Sequence, residues 1–469
     1  MLLYSSAYFV FLIAIFLLYW PVARHRTLAL AVILFANYFF YAKWGLFYLF
    51  LIPAASSGDF LIALALERSE RGWLRRLLVG ASLALNLGIL ASFKYMPFFL
   101  ENYAHLAGRA APAWHWVFPL GISFYTFQAL TYTIDVYRRD ARATSSYLAH
   151  LAAVSFFPTT LAGPITRVAT LVPQLERKDA FLAPADGGRA LFLIGIGLMK
   201  KLLIADYLGE NLVNRVFDFP NLYTSAEVLL GVYGYALQLY YDFSGYTDIA
   251  IGSALLLGLK LPANFNRPYA AQSVADFWRR WHITLSNWLR DYLYFSLPGL
   301  RSKWKGFTYL NLTLTMVLGG LWHGASWNFV LWGALHGTGL AATHAWQSWR
   351  GRGKSAPAWW SRALGGFLTA QFVCFAWIFF RAPDLAAAWG VISRIGSLTF
   401  SLANISWPLA FVLSLALAAH YAPRKLYDNA VKLWVATPFY AQALAMILLV
   451  LALQYVAVTG AAPFIYTRF

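Results

Sequence analysis

The fold class this sequence predicts is an all-α, polytopic membrane protein, and three observations predict it. The chain has 469 residues, 60% of them hydrophobic and only 12% charged, about half the charged share usual in soluble domains. Apolar runs of roughly 17 to 25 residues, the length that crosses a hydrocarbon core, recur along almost its whole length. The basic residues lie in short loops between those runs, as cytoplasmic loops enriched in Lys and Arg would have it, rather than on one soluble face. The net charge of +18 therefore argues for membrane topology and against a nucleic-acid partner.

Taken in order, the first 22 residues lack a basic start and a small-residue cleavage site before Pro21 and Arg24, so they read as a retained first helix. Spans are expected near Ala7–Val22, Leu28–Tyr41, Trp44–Leu66, Leu77–Leu100 and Trp114–Val136. Basic clusters at Arg24 and Arg26, at Arg68, Arg71, Arg75 and Arg76, and at Arg138, Arg139 and Arg142 follow every second span. That places the N-terminus outside and the clusters inside. A segment from Leu148 to Leu175 is expected to be broken, because Pro158 and the Gly163–Pro164 pair interrupt backbone hydrogen bonding, which is tolerated at depth only against protein or a cavity.

Further spans are expected near Ala190–Tyr207, Ala226–Tyr241, Ile249–Leu261, Tyr309–Leu321, Asn328–Trp346, Ala363–Phe380, Leu409–Tyr421 and Phe439–Val458. Lys200 and Lys201 interrupt their segment, which should tilt or end there. The total is roughly eleven to thirteen transmembrane or re-entrant helices. They form one integral membrane domain over 1–469, with N-terminal helices in 1–142, a motif-bearing core in 148–389 and a C-terminal helical hairpin in 404–469.

The stretch from Pro262 to Lys305 is more polar. Within it, DFWRRWHITLSNWLRDYLY places Phe277, Trp278, Trp281, Leu285, Trp288, Leu289, Tyr292 and Phe295 on one helical arc, with Asp276, Arg279, Arg280, Asn287, Arg290 and Asp291 on the other. The expectation is a helix lying along a membrane interface or against the protein's own spans, with His282 on the boundary between the arcs.

Ionisable residues in apolar segments are candidates for function. The foremost is His323 in GGLWHGASW, flanked by Trp322. One reading is a packing residue, with Gly320 and Gly324 forming a small-xxx-small helix contact. The other is a general base, because imidazole accepts a proton near neutral pH, with the glycines giving a substrate access. His282, 41 residues upstream, would position that base, bind the acceptor or stabilise an oxyanion. His336 reads as structural, and His344 and His420 rank lower.

Asp242 and Asp248 frame YYDFSGYTDIAIG, where Ser244 and Gly245 break the run. They either satisfy orphan backbone donors or line a substrate path. Arg167, after FPTTLAGPIT, would pair with an acid or a phosphate. No G-x-S-x-G elbow, P-loop or H-E-x-x-H motif is present. No metal-ligand spacing stands out, and the single Cys374 excludes an intrachain disulfide.

FPTTLAGPITR, GLMKKLLIAD, QLYYDFSGYTDIAIG, NFNRPY, DFWRRWHITLSNWLRDYLY and GGLWHGASWNFVLWGALHG, followed by FVCFAWIFFRAPDLAAAW, occur in that order over about half the chain. Together they resemble the membrane-bound O-acyltransferase family, in the bacterial branch that acetylates alginate and cellulose. More distantly they resemble the D-alanyl transfer proteins of teichoic acid modification.

The resemblance implies helices around a central tunnel, His323 as the catalytic histidine and His282 as the second polar position. Asp242, Ser244, Asp248, Arg167, Trp322, Arg279 and Arg280 are the expected substrate contacts. It also implies no bound cofactor, with acetyl-CoA as acyl donor on the cytoplasmic side and an exopolysaccharide as the distal acceptor. The implied partners are a periplasmic SGNH-type acetyltransferase and a polysaccharide synthesis complex, in the bacterial inner membrane. The basic residues Arg279, Arg280, Arg290, Arg301, Lys303 and Lys305 would meet coenzyme A phosphates or an acidic acyl carrier, or equally the headgroups of membrane lipid. Two alternatives stand beside this: D-alanyl or other acyl transfer from a carrier protein, and a transporter using buried His and Asp as a proton relay.

Overall fold

In the computed structural model of the chain, residues 2–42, 46–114, 116, 119, 121–177, 179–299, 302, 306–350 and 358–456 are described. Among them every regular element is helical, and no strand occurs. Arg301, Lys303 and Lys305 lie outside the described residues. Among the described residues three helical stretches are each long and apolar enough to cross a membrane, Leu49–Arg68, Gly72–Ala107 and Trp359–Arg381. A fourth crossing is counted if the helices Arg424–Ala436 and Phe439–Leu453, bent by 117°, form one broken span. Shorter apolar helices stand at Ser6–Val22, Arg26–Ala42, Leu385–Gly396 and Trp407–Tyr421. The sequence-based count of crossings includes further segments that are interrupted or carry polar residues on buried faces.

The chain divides into two compact units, one of residues 1–194 with 246–262, the other of 195–245 with 263–469. The first is held by buried polar groups joining its helices. Asp59 accepts hydrogen bonds from Ser82 Oγ (2.6 Å) and Asn86 Nδ2 (2.9 Å). Arg75, expected in a cytoplasmic cluster, is buried, and its guanidinium donates to the carbonyls of Leu66, Ser69, Val136 and Tyr137. Those are carbonyls at or just past helix ends, which lack partners within their own helices.

The broken segment is found as expected. Short helices Tyr147–Val154, Phe157–Thr160 and Val168–Leu175 replace one span, and residues 149–166 are buried throughout. Its interrupted backbone is satisfied by protein: Asn37 accepts from the Phe157 amide at 2.9 Å, and Gln128 Nε2 donates to the Ala153 carbonyl at 2.6 Å.

In the second unit, Gly306–His323 and Trp327–Arg350 form a tight helical hairpin. Small residues set the approach. A methyl group at Gly333 would strike the Met316 carbonyl and come within 2.8 Å of the Val317 Cα, and one at Gly337 would lie 2.5 Å from the Thr313 Cα. Gly320 likewise faces the Phe329 backbone, so it serves the helix contact and not substrate access. Gly333→Leu should therefore force the hairpin apart, lowering the thermal midpoint of the detergent-solubilised protein by several degrees; an unchanged midpoint would contradict the close approach.

Three expectations need correction. The run through Asp242 and Asp248 is not broken at Ser244–Gly245: one 32-residue helix, Ser225–Leu256, carries it, and the glycine instead lies against the Gly197 carbonyl and Lys200. At Lys200 and Lys201 the regular α-helix Pro184–Met199 stops, but the segment does not end. The helical path continues through π turns at Lys200–Ala205 and Gly209–Val213 to Asp218, because the Lys201 ammonium has carboxylate partners. The amphipathic stretch is not one interfacial helix. It is a 5-residue helix Val274–Trp278, a turn, a 6-residue helix Ile283–Trp288 and a π turn Leu289–Leu293. Of its aromatic arc, Phe277, Trp278 and Trp281 are buried against protein, the second of the two expected settings, while Phe295 is exposed.

Candidate active site

His323 is the last residue of the Gly306–His323 helix and is buried. Its ring sits in an aromatic box: Trp322 at 5.0 Å, and Trp332 and Phe380 each at 5.2 Å, both edge-on. Trp332 comes from the second arm of the hairpin and Phe380 from the end of the Trp359–Arg381 helix, so three helices fix the imidazole. Asn328 Nδ2 donates to the Ala382 carbonyl at 2.8 Å and ties the start of the second arm to the end of that third helix.

His282 is also buried, which replaces the expected boundary position. It lies in the turn between the two short helices with φ 42° and ψ 55°, a left-handed conformation that non-glycine residues adopt uncommonly. The NFNRPY motif explains how it is held. Asn264 Oδ1 accepts from the Thr284 amide (3.2 Å) and the Thr284 hydroxyl (2.9 Å), and lies 3.1 Å from His282 Nδ1. The amide of Thr284 can only donate, which fixes the acceptor end of the Asn264 side chain. Nδ1 of His282 must then carry the proton, leaving Nε2 as its basic nitrogen. The Asn264 carbonyl also accepts from the Ile283 amide at 2.9 Å, and the Asn266 amide donates to the Arg280 carbonyl at 2.9 Å, closing the turn. Phe243 stands edge-on to the His282 ring at 4.7 Å.

The two histidines, 41 residues apart in sequence, flank one side chain: Trp322 lies 6.3 Å from the His282 ring and 5.0 Å from that of His323. Beside His323, a cavity of about 340 Å³ is lined by Gly324, Ala325, Ser326 and Phe329 of the hairpin, by Phe380 to Pro383, and by Asn214, Tyr235 and Gln238. Gly324, next in the chain to His323, and Phe380, whose ring packs on the imidazole, both line this cavity, so a space of small-molecule size lies close to a residue that can take a proton from a hydroxyl.

The other expected contacts scatter. Arg167 is exposed at the start of the Val168–Leu175 helix, and Asp248 is half-buried; both belong to the first unit. Arg279 and Arg280 turn to Asp276, at 3.5 and 3.0 Å, so their charge is already partnered. Ser244 is buried one residue beyond Phe243. Asp242 forms a buried ion triad: Lys201 Nζ lies 2.8 Å from Asp242 Oδ1 and 2.8 Å from Asp206 Oδ1. His336 accepts from Trp278 Nε1 at 3.2 Å inside an aromatic cluster, and His420 accepts from the Tyr269 amide at 3.2 Å. Both rings are buried and hydrogen-bonded within the second unit. No cluster of metal-ligating residues is found among the described residues.

Sequence reasoning missed Lys201, Asp206, Asn264 and Arg381. Each lies in a motif already singled out, and the signal was polar side chains inside or at the end of apolar segments, which is costly without a partner or a task.

Comparison with known proteins identifies the family. The family model for the membrane-bound O-acyltransferase family matches residues 137–382, which hold both histidines, Asn264 and the ion triad. A probable alginate O-acetylase AlgI of Azotobacter vinelandii is 38% identical over 409 residues, covering 84% of this chain and 78% of its own length. The peptidoglycan O-acetyltransferase of Helicobacter pylori is 35% identical over 401 residues, covering 79% and 74%. A teichoic acid D-alanyltransferase of Bacillus subtilis is 30% identical over 276 residues, 56% of this chain and 68% of its own. Helices without strands, long apolar segments and a matched core around the paired histidines lead to one assignment: the chain belongs to the membrane-bound O-acyltransferase family, as a multi-pass membrane enzyme that transfers acyl groups.

Proposed function

We propose that this chain passes acetyl groups from cytoplasmic acetyl-CoA toward an extracytoplasmic exopolysaccharide, working in the bacterial inner membrane with a periplasmic acetyltransferase as the immediate or subsequent acceptor. The observation that carries the reading is the buried His323 with His282 across Trp322, next in the chain to Gly324 and packed on Phe380, both of which line the 340 Å³ cavity. Relatives named for acetylation of alginate and of peptidoglycan support acetyl as the cargo.

His323 takes the proton from an acceptor hydroxyl as its oxygen attacks the thioester carbonyl carbon. The carbon–sulfur bond then breaks, and the thiolate leaves with the proton held on the imidazolium. The oxyanion formed in between gains most from donors aimed at it in a water-poor site. His282 serves at the second position, its ring held by Asn264.

The D-alanyltransferase relatives support a second reading in which the donor is a D-alanyl carrier protein. Offering acetyl-CoA and a D-alanyl-loaded carrier separately to the chain in nanodiscs, and following thioester loss, decides between them. Faster cleavage of acetyl-CoA is the expected result. Preference for the carrier would reverse the cargo, and cleavage of neither together with ion-coupled uptake in proteoliposomes would replace the enzyme by a transporter.

A further inference from the structure

At the end of the hairpin away from His323, a second cavity of about 950 Å³ opens between the last turns of the Trp327–Arg350 helix, the first turns of the Trp359–Arg381 helix and the segment from Gln272 to Val274. Its floor is apolar and closely packed. Phe372 and Val274 fill the space that Gly339 leaves, since a methyl group there would come within 2.9 Å of the Phe372 ring and 3.3 Å of Val274. A methyl at Gly365 would lie 2.8 Å from the Gln272 carbonyl, so the polar segment is seated against the third helix.

The rim is cationic. Arg350 ends one helix and Arg362 stands near the start of the other, both exposed. Among the described residues no acidic side chain lines the cavity, and neither arginine has a carboxylate partner. Asp276, which accepts from the Gln272 amide at 3.2 Å, is already matched by Arg280 and Arg279 at 3.0 and 3.5 Å. From Arg362 to Phe372 a helix rises about 15 Å. The lining therefore passes from cations to Leu368 and Phe372 over a headgroup layer of roughly 5 to 8 Å and the start of the hydrocarbon. Trp346, Trp349, Trp359 and Trp360 stand on the same helix ends, between 57% and 77% exposed, and tryptophan rings gather at the depth where headgroups meet hydrocarbon. In sequence, the stretch from Arg350 to Arg362 holds four basic residues and no acidic one, the pattern of a cytoplasmic connection.

We propose that this cavity binds one anionic glycerophospholipid of the cytoplasmic leaflet, with its phosphate between Arg350 and Arg362 and its acyl chains on Leu368 and Phe372. A soluble phosphate ester makes no use of the apolar floor, and a zwitterionic lipid brings a cation of its own to two unmatched arginines. Basic pockets between membrane helices on the cytoplasmic side suit anionic headgroups in this way. The bound lipid joins the helix that carries Trp332 to the helix that carries Phe380, and both of those rings pack on His323. The inference stands apart from the chemistry assigned to His323.

The test titrates the full chain, in one detergent, with short-chain phosphatidylglycerol, with phosphatidylcholine of equal chain length and with glycerol 3-phosphate. Native mass spectrometry counts bound lipid, and tryptophan fluorescence follows thermal unfolding. The wild type should bind phosphatidylglycerol roughly tenfold more tightly than phosphatidylcholine, the scale set by two interfacial arginines. That lipid alone should raise the thermal midpoint by several degrees. Arg350→Gln combined with Arg362→Gln should erase both the preference and the midpoint gain, while the paired lysine substitutions should keep much of each, because lysine also binds phosphate. Arg424→Gln with Lys425→Gln, on the exposed helix Arg424–Ala436, should leave the preference intact and so separates a built site from general surface charge. Equal binding of the two lipids, a preference surviving in the arginine pair variant, or the same loss in the Arg424 and Lys425 variant would each overturn the proposal. Glycerol 3-phosphate binding as tightly as the lipid would give the site to a soluble phosphate ester, and displacement of the lipid by acetyl-CoA would give it to the acyl donor. If the double glutamine variant does not fold, the single variants decide, each expected to lose part of the preference.

Discussion

Alanine at position 323 should leave the chain folded and lower turnover by about a hundred- to ten-thousand-fold, the contribution of a positioned general base. The Michaelis constant for the donor should change little, because a proton accepted during the chemical step acts on the transition state and not on ground-state binding. Three aromatic rings surround the imidazole, so His323→Gln, closer in volume, serves beside alanine to separate lost chemistry from lost packing. Both should be equally inactive, with unchanged elution on size exclusion. His282→Gln should fall by a smaller factor, since glutamine retains a side-chain amide that reaches Asn264 Oδ1. If the two histidines act as a unit, the double variant will be no worse than His323→Ala alone.

Replacing Lys201 by methionine should destabilise the protein by about 3 to 5 kcal/mol, the range for removing one member of a buried ion pair. The ammonium and both carboxylates are almost fully buried: 3% exposed for Lys201, 8% for Asp206 and 1% for Asp242. Without the cation two carboxylates face one another in a low-dielectric setting, and they must take up protons or disrupt the helices that carry them. Those helices are the π-turn path from Lys200 to Asp218 and the long helix that holds Phe243 against His282. The loss should therefore reach activity as well as stability. Adding Asp206→Asn and Asp242→Asn to Lys201→Met should recover much of the stability, because no uncompensated charge remains. Thermal unfolding followed by tryptophan fluorescence in one detergent reads both steps; a single variant as stable as the wild type would deny the triad its structural role.

Composition and periodicity made the all-α membrane class legible, because both register the bilayer directly. His323 was legible for the same reason: a titratable ring in an apolar run stands out whatever the fold. What escaped was decided by partners far away in sequence. A helical wheel cannot see that Asn264 closes a turn around His282, so the segment looked like one amphipathic helix whose aromatic face suited the membrane interface and the protein's own spans alike. Ser244 and Gly245 looked like a break because a Ser-Gly pair weakens a helix, yet tertiary packing against Gly197 and Lys200 overrides that weakness. Asp242 looked available for substrate until Lys201, 41 residues earlier, was found beside it. Arg381 was invisible as a cavity residue, since only the meeting of the hairpin with the end of the Trp359–Arg381 helix makes the cavity.

The central claim is that acyl transfer passes through His323, and label transfer tests it most directly. Wild type and His323→Ala, in identical nanodiscs and with matched melting behaviour, are given radiolabelled acetyl-CoA and a hydroxyl acceptor, and labelled ester is counted over time. Ester should accumulate with the wild type and stay near the uncatalysed background with the variant. Accumulation at a similar rate in both would contradict the account.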